Sequence, residues 1–205
     1  MKIGILGGTF NPIHVGHLKI AQAAQKKLKL DQVLFVPAFR PPHRPLTALA
    51  SAKHRLEIVK LALGNHPRFL PSTVEIQRRG KSYSVDTLKR LRQMYKKGTR
   101  FFFLIGSDSL HELYSWKKIA TLSKLCEFAV LTRAGFQTKG VTPKMLRLPP
   151  AVFRRVTRHF LAIRPVKVSA TQIRERARKG KPLRGLVPKK VAEYILKNKL
   201  YRKRV

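Results

Sequence analysis

The sequence predicts an α/β fold: an open, doubly wound, mostly parallel sheet with a small helical C-terminal subdomain. Three observations predict it. A strand, a glycine turn, a helix and a second strand fill the first 36 residues. Later short apolar runs alternate with helical patterns, and the last 40 residues carry helical patterns almost to their end.

The first unit sets the direction of the sheet. Lys2–Leu6 (KIGIL) reads as a short buried strand, and Gln32–Val36 (QVLFV) as another. Between them His17–Lys27 reads as a helix with Leu18, Ala21 and Ala24 or Gln25 on one side. Two strands joined by a crossover helix pair in parallel, with a right-handed connection.

Residues 37–47 hold four prolines and are too stiff and too poor in donors for a helix or a central strand, so they form a loop. A helix follows over residues 49–63, with Leu56, Val59, Lys60 and Leu63 in register. Ser84 is placed as the N-cap of the next helix, which aligns Val85, Leu88, Leu91 and Met94 or Tyr95. Apolar strands are expected at Arg100–Ile105, ending on Gly106, and at Phe128–Thr132. Prolines at 143, 149 and 150 break up residues 139–160, where one helix is expected near 150–158. A short strand at Pro165–Val168, a helix at Thr171–Arg178, a turn at Gly180–Pro182 and a helix at Pro188–Leu200 complete the chain. Proline at the first helical position suits that last start. No internal repeat interrupts the alternation. The expected organisation is a core over 1–165 and a helical piece over 166–205, together one structural unit.

Composition excludes several classes. With 43% hydrophobic residues, the chain is not a mostly disordered protein. No apolar run approaches a membrane span, and MKIGILGG reaches glycines before a signal-peptide core forms, so a cytoplasmic location is expected. The single cysteine, Cys126 between Leu125 and Phe128, reads as a small buried hydrophobe rather than a nucleophile. Lys and Arg number 45 against 9 Asp and Glu, a formal charge of +36. That excess is spread along the chain and densest at the C-terminus. It reads as a general basic bias with incidental affinity for RNA and other polyanions, or as a selected nucleic-acid surface.

The stretch GGTFNPIHVGH, Gly7–His17, lies where an open parallel sheet binds ligands, between a strand end and a helix start. Its glycines let a phosphate or a base approach the backbone, and Gly16 admits something bulky beside the helix start. His14 and His17 stand three residues apart, so both rings can face one point. Other phosphate motifs fit badly. A P-loop needs Lys-Ser/Thr after its second glycine, and the dinucleotide fingerprint needs different glycine spacing and an acid after the second strand. A His-x-x-His pair can hold zinc, but no companion ligand has matching spacing, and no metal site is assigned.

GGTFNPIHVGH resembles the signature of the H-x-G-H nucleotidyltransferase superfamily, relatives of class I aminoacyl-tRNA synthetases. Four further segments, in order, resemble the bacterial nicotinate mononucleotide adenylyltransferase family: FVPAFRPPHRP at 35–45, RRGKSYSVDTL at 78–88, FLIGSDSLHELYSW at 103–116 and VSATQIRERARKGKPLRGLVPKKVAEYI at 168–195. The resemblance implies a Rossmann-like core whose C-terminal helices complete an ATP site. The implied reaction is adenylyl transfer from ATP, which carries Mg²⁺, to nicotinate mononucleotide, giving deamido-NAD and pyrophosphate.

On this resemblance His17, His14 and Arg174 are the catalytic residues. Gly7, Gly8, Thr9, Phe10, Gly106, Asp108, Arg133, Ser169 and Thr171 join them in holding ATP, with Asp108 on ribose hydroxyls. Trp116 resembles the residue that stacks on the pyridine ring; it also reads as a half-buried core aromatic. Tyr83, Ser84 and Thr87 resemble the block around the pyridine carboxylate, although helix capping alone accounts for Ser84 and Thr87. His43 and Arg44 belong to a loop placed as a lid. Asn11 stands where many relatives carry aspartate, and Ala170 where a second serine is usual. The alternatives are selectivity for nicotinamide mononucleotide, or for both, and a nucleic-acid-binding protein on a decayed enzyme scaffold.

Overall fold

The computed structural model describes residues 1–42, 49–132, 140–163 and 166–202. Six strands form one sheet: β1 (Lys2–Gly8), β2 (Gln32–Pro37), β3 (Phe69–Pro71), β4 (Arg100–Gly106), β5 (Glu127–Thr132) and β6 (His159–Ala162). Their spatial order is β3-β2-β1-β4-β5-β6, and every pair is parallel, so the expected mostly parallel sheet is wholly parallel.

The helices are α1 (Val15–Leu28), α2 (Ala52–Leu63), α3 (Val74–Arg78), α4 (Ser84–Met94), α5 (Ile119–Leu125), α6 (Pro143–Leu146), α7 (Pro150–Val156), α8 (Ala170–Arg178) and α9 (Lys189–Lys197). A 3₁₀ helix, Ser107–Ser115, follows β4. No helix among the described residues is long and apolar enough to cross a membrane.

Alternation along the strands divides the core into two layers, since successive side chains point to opposite faces. Leu6, Val33, Phe35, Phe102, Leu104, Ala129 and Leu131 share one face with Ala21, Ala24, Ile58 and Val59. Ile173, Ala177, Leu183, Val191 and Ile195 of the C-terminal segment belong to that same cluster. Ile3, Ile5, Leu34, Val36, Phe103, Ile105, Phe128 and Val130 face the other way, against Leu88, Leu91, Leu122, Val152 and Val156. Each such Leu, Ile or Phe removed fully from water contributes about 1.5–3 kcal/mol, before the cost of ordering it.

Several boundaries differ from the sequence expectation. Helix α2 starts at Ala52, capped by the Ser51 hydroxyl, which accepts the His54 N–H at 3.3 Å. Its inner face is Arg55, Ile58, Val59 and Leu63, and Lys60 is exposed. Tyr83, not Ser84, is the N-cap of α4, and Met94 is exposed, so that face ends on Tyr95. Pro188 lies at the N-cap of α9 rather than inside it. The last strand is His159–Ala162; residues 166–169 carry no strand. Of that strand only Leu161 is buried, with His159 and Phe160 half-buried and Ala162 exposed, too weak an apolar signal to mark an edge strand.

The strand starts are tied by carboxylates. Glu127 Oε1 accepts from Arg100 Nε at 3.0 Å and Nη2 at 2.8 Å, and Oε2 meets His159 Nε2 at 2.8 Å, joining the first residues of β4, β5 and β6. Burial acts to raise the Glu127 pKa, but His159 and Arg100 outweigh it and hold the carboxyl below its ordinary range. Asp31 Oδ2 accepts the Lys2 backbone N–H at 2.7 Å, fixing the start of β1. Cys126 is buried, its thiol 3.5 Å from the Leu122 carbonyl, and burial pushes its pKa up to about 12. As expected, it is a core residue with no thiolate at neutral pH.

Candidate active site

The topological switch falls between β1 and β4, where ligands of open α/β sheets bind. These strands pair only from Lys2↔Arg100 to Ile5↔Phe103, although β1 runs on to Gly8 and β4 to Gly106. Past Ile5 and Phe103 they part, and the sequence-predicted glycines, Gly7, Gly8 and Gly106, lie at the parted ends.

The two histidines occupy the first turn of α1. His14 is the N-cap, with extended backbone (φ −146°, ψ 171°), and its backbone N–H donates to His17 Nδ1 at 3.2 Å. The rings stack with centroids 3.8 Å apart. Phe10 stands edge-on beneath His17 at 5.1 Å. Phe10 is 2% exposed, so its part in the site is to support the imidazole, which corrects its placement as an ATP contact. Burial, and then the neighbouring His14, lower the His17 pKa from 6.5 to about 3. The ring is therefore neutral near pH 7, and because Nδ1 accepts a hydrogen bond, its proton is on Nε2. His17 thus presents a fixed donor.

Gly16 has a packing reason. A Cβ there would stand 2.9 Å from His14 Nδ1 and 3.1 Å from Val168 Cγ1, so the bulk that the glycine admits is the His14 ring and the segment before α8. Leu186 tightens the same junction by accepting the Val15 N–H at 3.1 Å.

A second group reaches the signature from the far end of the sequence. Ser169 caps α8, its hydroxyl accepting the Gln172 N–H at 3.2 Å. Arg174 Nη1 donates to the Asn11 carbonyl at 2.9 Å and Nη2 to Thr171 Oγ1 at 3.2 Å. The α8 N-terminus, with its unsatisfied N–H groups, is thereby held beside Gly7–His17. His14, His17, Ser169, Thr171 and Arg174 converge on one region although 163 positions separate Asn11 from Arg174.

Asp108 is exposed in the first turn of the 3₁₀ helix, after β4. A Cβ on Gly106 would collide with its Oδ1, so the Gly-x-Asp spacing lets the carboxylate fold back over the strand end. Gly106→Ala is expected to turn that carboxylate away and to lower kcat/KM about 10–10²-fold, the scale of one charge-assisted hydrogen bond. Steady-state kinetics of G106A, D108A and the double variant check this: if the two changes act on one interaction, the double variant is no worse than D108A.

The third group lies near β2 and α4. Tyr83 and Ser84 are half-buried at the α4 N-terminus, and Lys117 Nζ lies 4.3 Å from the Tyr83 ring centroid and 3.2 Å from Asp86 Oδ2. Trp116 is half-buried, edge-on to Phe103 at 5.7 Å. Thr87 does not join them. It is 1% exposed, and its hydroxyl donates to Glu75 Oε1 at 2.6 Å, so it holds α4 to α3 instead of meeting a ligand. Burial raises the Glu75 pKa; hydrogen bonds from Ser82 and Thr87 oppose that. His43, Arg44 and Arg133 lie outside the described residues. No group of three or more His, Cys, Asp or Glu gathers among those described.

One central residue is absent from the sequence reading. Arg55 is 1% exposed and donates to the carbonyls of Thr9, Ala38, Phe39 and Ala50. Its signal was its position, one helical turn before Ile58 and Val59 on the apolar face.

A strand-end crevice between diverging parallel strands, with a neutral imidazole donor, a capped helix start and an arginine around it, defines a nucleotide-handling α/β protein. The family described as cytidylyltransferase-like matches residues 5–176. A protein of Thermoanaerobacter sp. named "Probable nicotinate-nucleotide adenylyltransferase" is 40% identical over 206 residues, covering 99% of this chain and 95% of that one. One of the same name from Moorella thermoacetica is 38% identical over 204 residues, covering 100% and 93%. The chain belongs to the cytidylyltransferase-like family, as a nucleotidyltransferase of its nicotinate-nucleotide adenylyltransferase branch. In fold it is similar to the Plasmodium falciparum nicotinic acid mononucleotide adenylyltransferase solved in complex with NaAD, with a TM-score of 0.72 at 19% identity, covering 98% of this chain and 97% of that one.

Proposed function

We propose that the enzyme transfers the adenylyl group of ATP to nicotinate mononucleotide across the β1–β4 crevice, giving deamido-NAD for NAD biosynthesis in the cytoplasm. The observation that carries this reading is the Arg174 bond to the Asn11 carbonyl, which brings the α8 N-terminus and the two histidines to one place.

An oxygen of the mononucleotide 5′-phosphate forms a bond to the α-phosphorus while the bond from that phosphorus to the bridging oxygen breaks, and pyrophosphate leaves with the electron pair. The attacking phosphate is already ionised, so no general base is needed. Catalysis is alignment together with stabilisation of charge on the α-phosphate and the leaving group.

His17 Nε2–H donates to the α-phosphate. His14, Thr171, Ser169 and Arg174 hold the β- and γ-phosphates, and Gly7, Gly8 and Thr9 let the nucleotide lie close to the backbone. Asp108 accepts ribose hydroxyls, with Gly106 beneath it. Mg²⁺ arrives with the triphosphate and is held mainly by phosphate and water oxygens. On the acceptor side, Trp116 stacks on the pyridine ring, and Tyr83 with the α4 N-terminus at Ser84 meets its carboxylate. That helix end favours an anion over a neutral amide.

Pyrophosphate release from ATP, with nicotinate and nicotinamide mononucleotides in parallel, tests the reading. Faster turnover of the acid is expected. A preference for the amide overturns the acceptor assignment and leaves the phosphate site standing; no release with either overturns both.

A further inference from the structure

Arg55 stands where stability alone would not put it. It lies in the first turn of α2, the positive end of a helix, where a cation is disfavoured. It is also almost wholly out of water, which is costly for a charge. No carboxylate bonds to it among the described contacts, although Glu75 lies near enough to favour its charge. Its partners are carbonyl oxygens: Nε donates to Ala50 at 2.9 Å, Nη1 to Thr9 at 2.9 Å and to Ala38, and Nη2 to Phe39 at 3.1 Å.

Those carbonyls belong to three segments. Thr9 follows β1, in the stretch that carries the histidines. Ala38 and Phe39 follow β2, and Phe39 N–H continues to Ser82 Oγ at 2.8 Å, next to Tyr83. Ala50 precedes α2, and its N–H returns to Asn11 Oδ1 at 3.1 Å. A planar guanidinium spreads five donors over a rigid fork, wide enough to hold four carbonyls from three segments, a span that a compact ammonium cannot cover.

We propose that Arg55 is a positioning residue for adenylyl transfer: it locks the phosphate-binding loop after β1 to the acceptor-side loop after β2 and so fixes the distance between the two substrates. The inference rests on the reaction proposed above. Arg55 touches neither substrate. It acts through Thr9, Ala38 and Phe39, and displacing reacting groups by about 1 Å is enough to cost about 10²-fold in rate.

The test compares Arg55→Lys, which keeps the charge but cannot span the carbonyls, with Ser82→Ala, which removes the Phe39 tie and one bond to Glu75 and leaves the hydrogen bonds of Arg55 itself intact. Val156→Ala is the control, a core truncation in α7 on the opposite face of the sheet. Kinetics are measured at a temperature where circular dichroism shows each variant folded. R55K is expected to lose about 10²-fold in kcat with the KM for ATP within about threefold, and S82A to lose about three- to tenfold. V156A is expected to keep the wild-type kcat even where its melting temperature falls as far as that of R55K.

Hydrogen exchange supplies a readout that needs no substrate. The Ala38 amide, bonded to the Gly8 carbonyl at 2.9 Å, is expected to exchange at least about tenfold faster in R55K and at the wild-type rate in V156A. Unchanged exchange there, or losses of kcat that follow melting temperature across all three variants, overturns the proposal. A wild-type enzyme inactive with both mononucleotides leaves the exchange result standing and refutes the reaction instead.

Discussion

Replacing His17 with alanine is expected to lower pyrophosphate release about 10²–10³-fold, the scale of one lost donor to a developing oxyanion. The fold should survive, because the ring lies at the rim of the core and the two apolar clusters do not depend on it. Thermal melting of H17A at pH 7 beside the kinetics separates the two effects. Near-wild-type turnover would be irreconcilable with the donor role of Nε2.

The same residue has a signature in acid. The folded-state pKa of about 3 lies below the unfolded value of 6.5. Above pH 6.5 both states hold the ring neutral, and its contribution to stability is constant. As the pH falls from 6.5 towards 3, the unfolded ring takes up a proton that the folded ring refuses, and stability declines by up to about 1.4 kcal/mol per unit. His17→Gln removes that term, so denaturant titrations of H17Q should fall less steeply than wild type in this window. Parallel curves would show that the ring titrates normally in the folded protein.

Arg174→Ala is the second large effect, expected to lower kcat/KM for ATP by about 10²-fold. It removes the cation that we place beside the triphosphate and also the bonds to Asn11 and Thr171 that hold α8 in place. Charged hydrogen bonds contribute about 1.5–3 kcal/mol each, so part of the loss appears as a lower melting temperature. Arg174→Lys should keep some of the ATP affinity and little of the docking, since an ammonium cannot reproduce the two-pronged geometry. Titrating both variants with ATP distinguishes the roles. Equal losses in R174A and R174K would assign the effect to docking, and a large difference would assign it to charge.

Much of this was legible in the sequence because it rests on local patterns. Alternating apolar strands, the glycine-rich turn after the first of them, and Ser169 three residues before Gln172 each specify their own geometry. The features with no local signal depend on partners remote in sequence. Strand β3 is three residues long and is defined by its pairing with β2. Strand β6 needs only β5 beside it, and its alternation was weaker than that of the proline-led PVKV at 165–168, which has no strand among its described residues. Thr87 looked like a ligand contact by its place in a familiar block, yet its hydroxyl goes to Glu75, a residue no spacing rule connects to it. Arg55 was hidden by composition: in a chain with 45 Lys and Arg, one more arginine carried no information until its four carbonyl partners were seen.

The carboxylates are as scarce as the cations are plentiful. Nine acidic residues against 45 Lys and Arg leave most of the positive field without an internal counter-charge. A triphosphate approaching such a molecule is drawn in from a distance, the more so as salt is withdrawn. Pyrophosphate must climb out of that same potential well. In dilute buffer, therefore, arrival quickens while departure slows, and the ceiling on turnover passes from chemistry to escape.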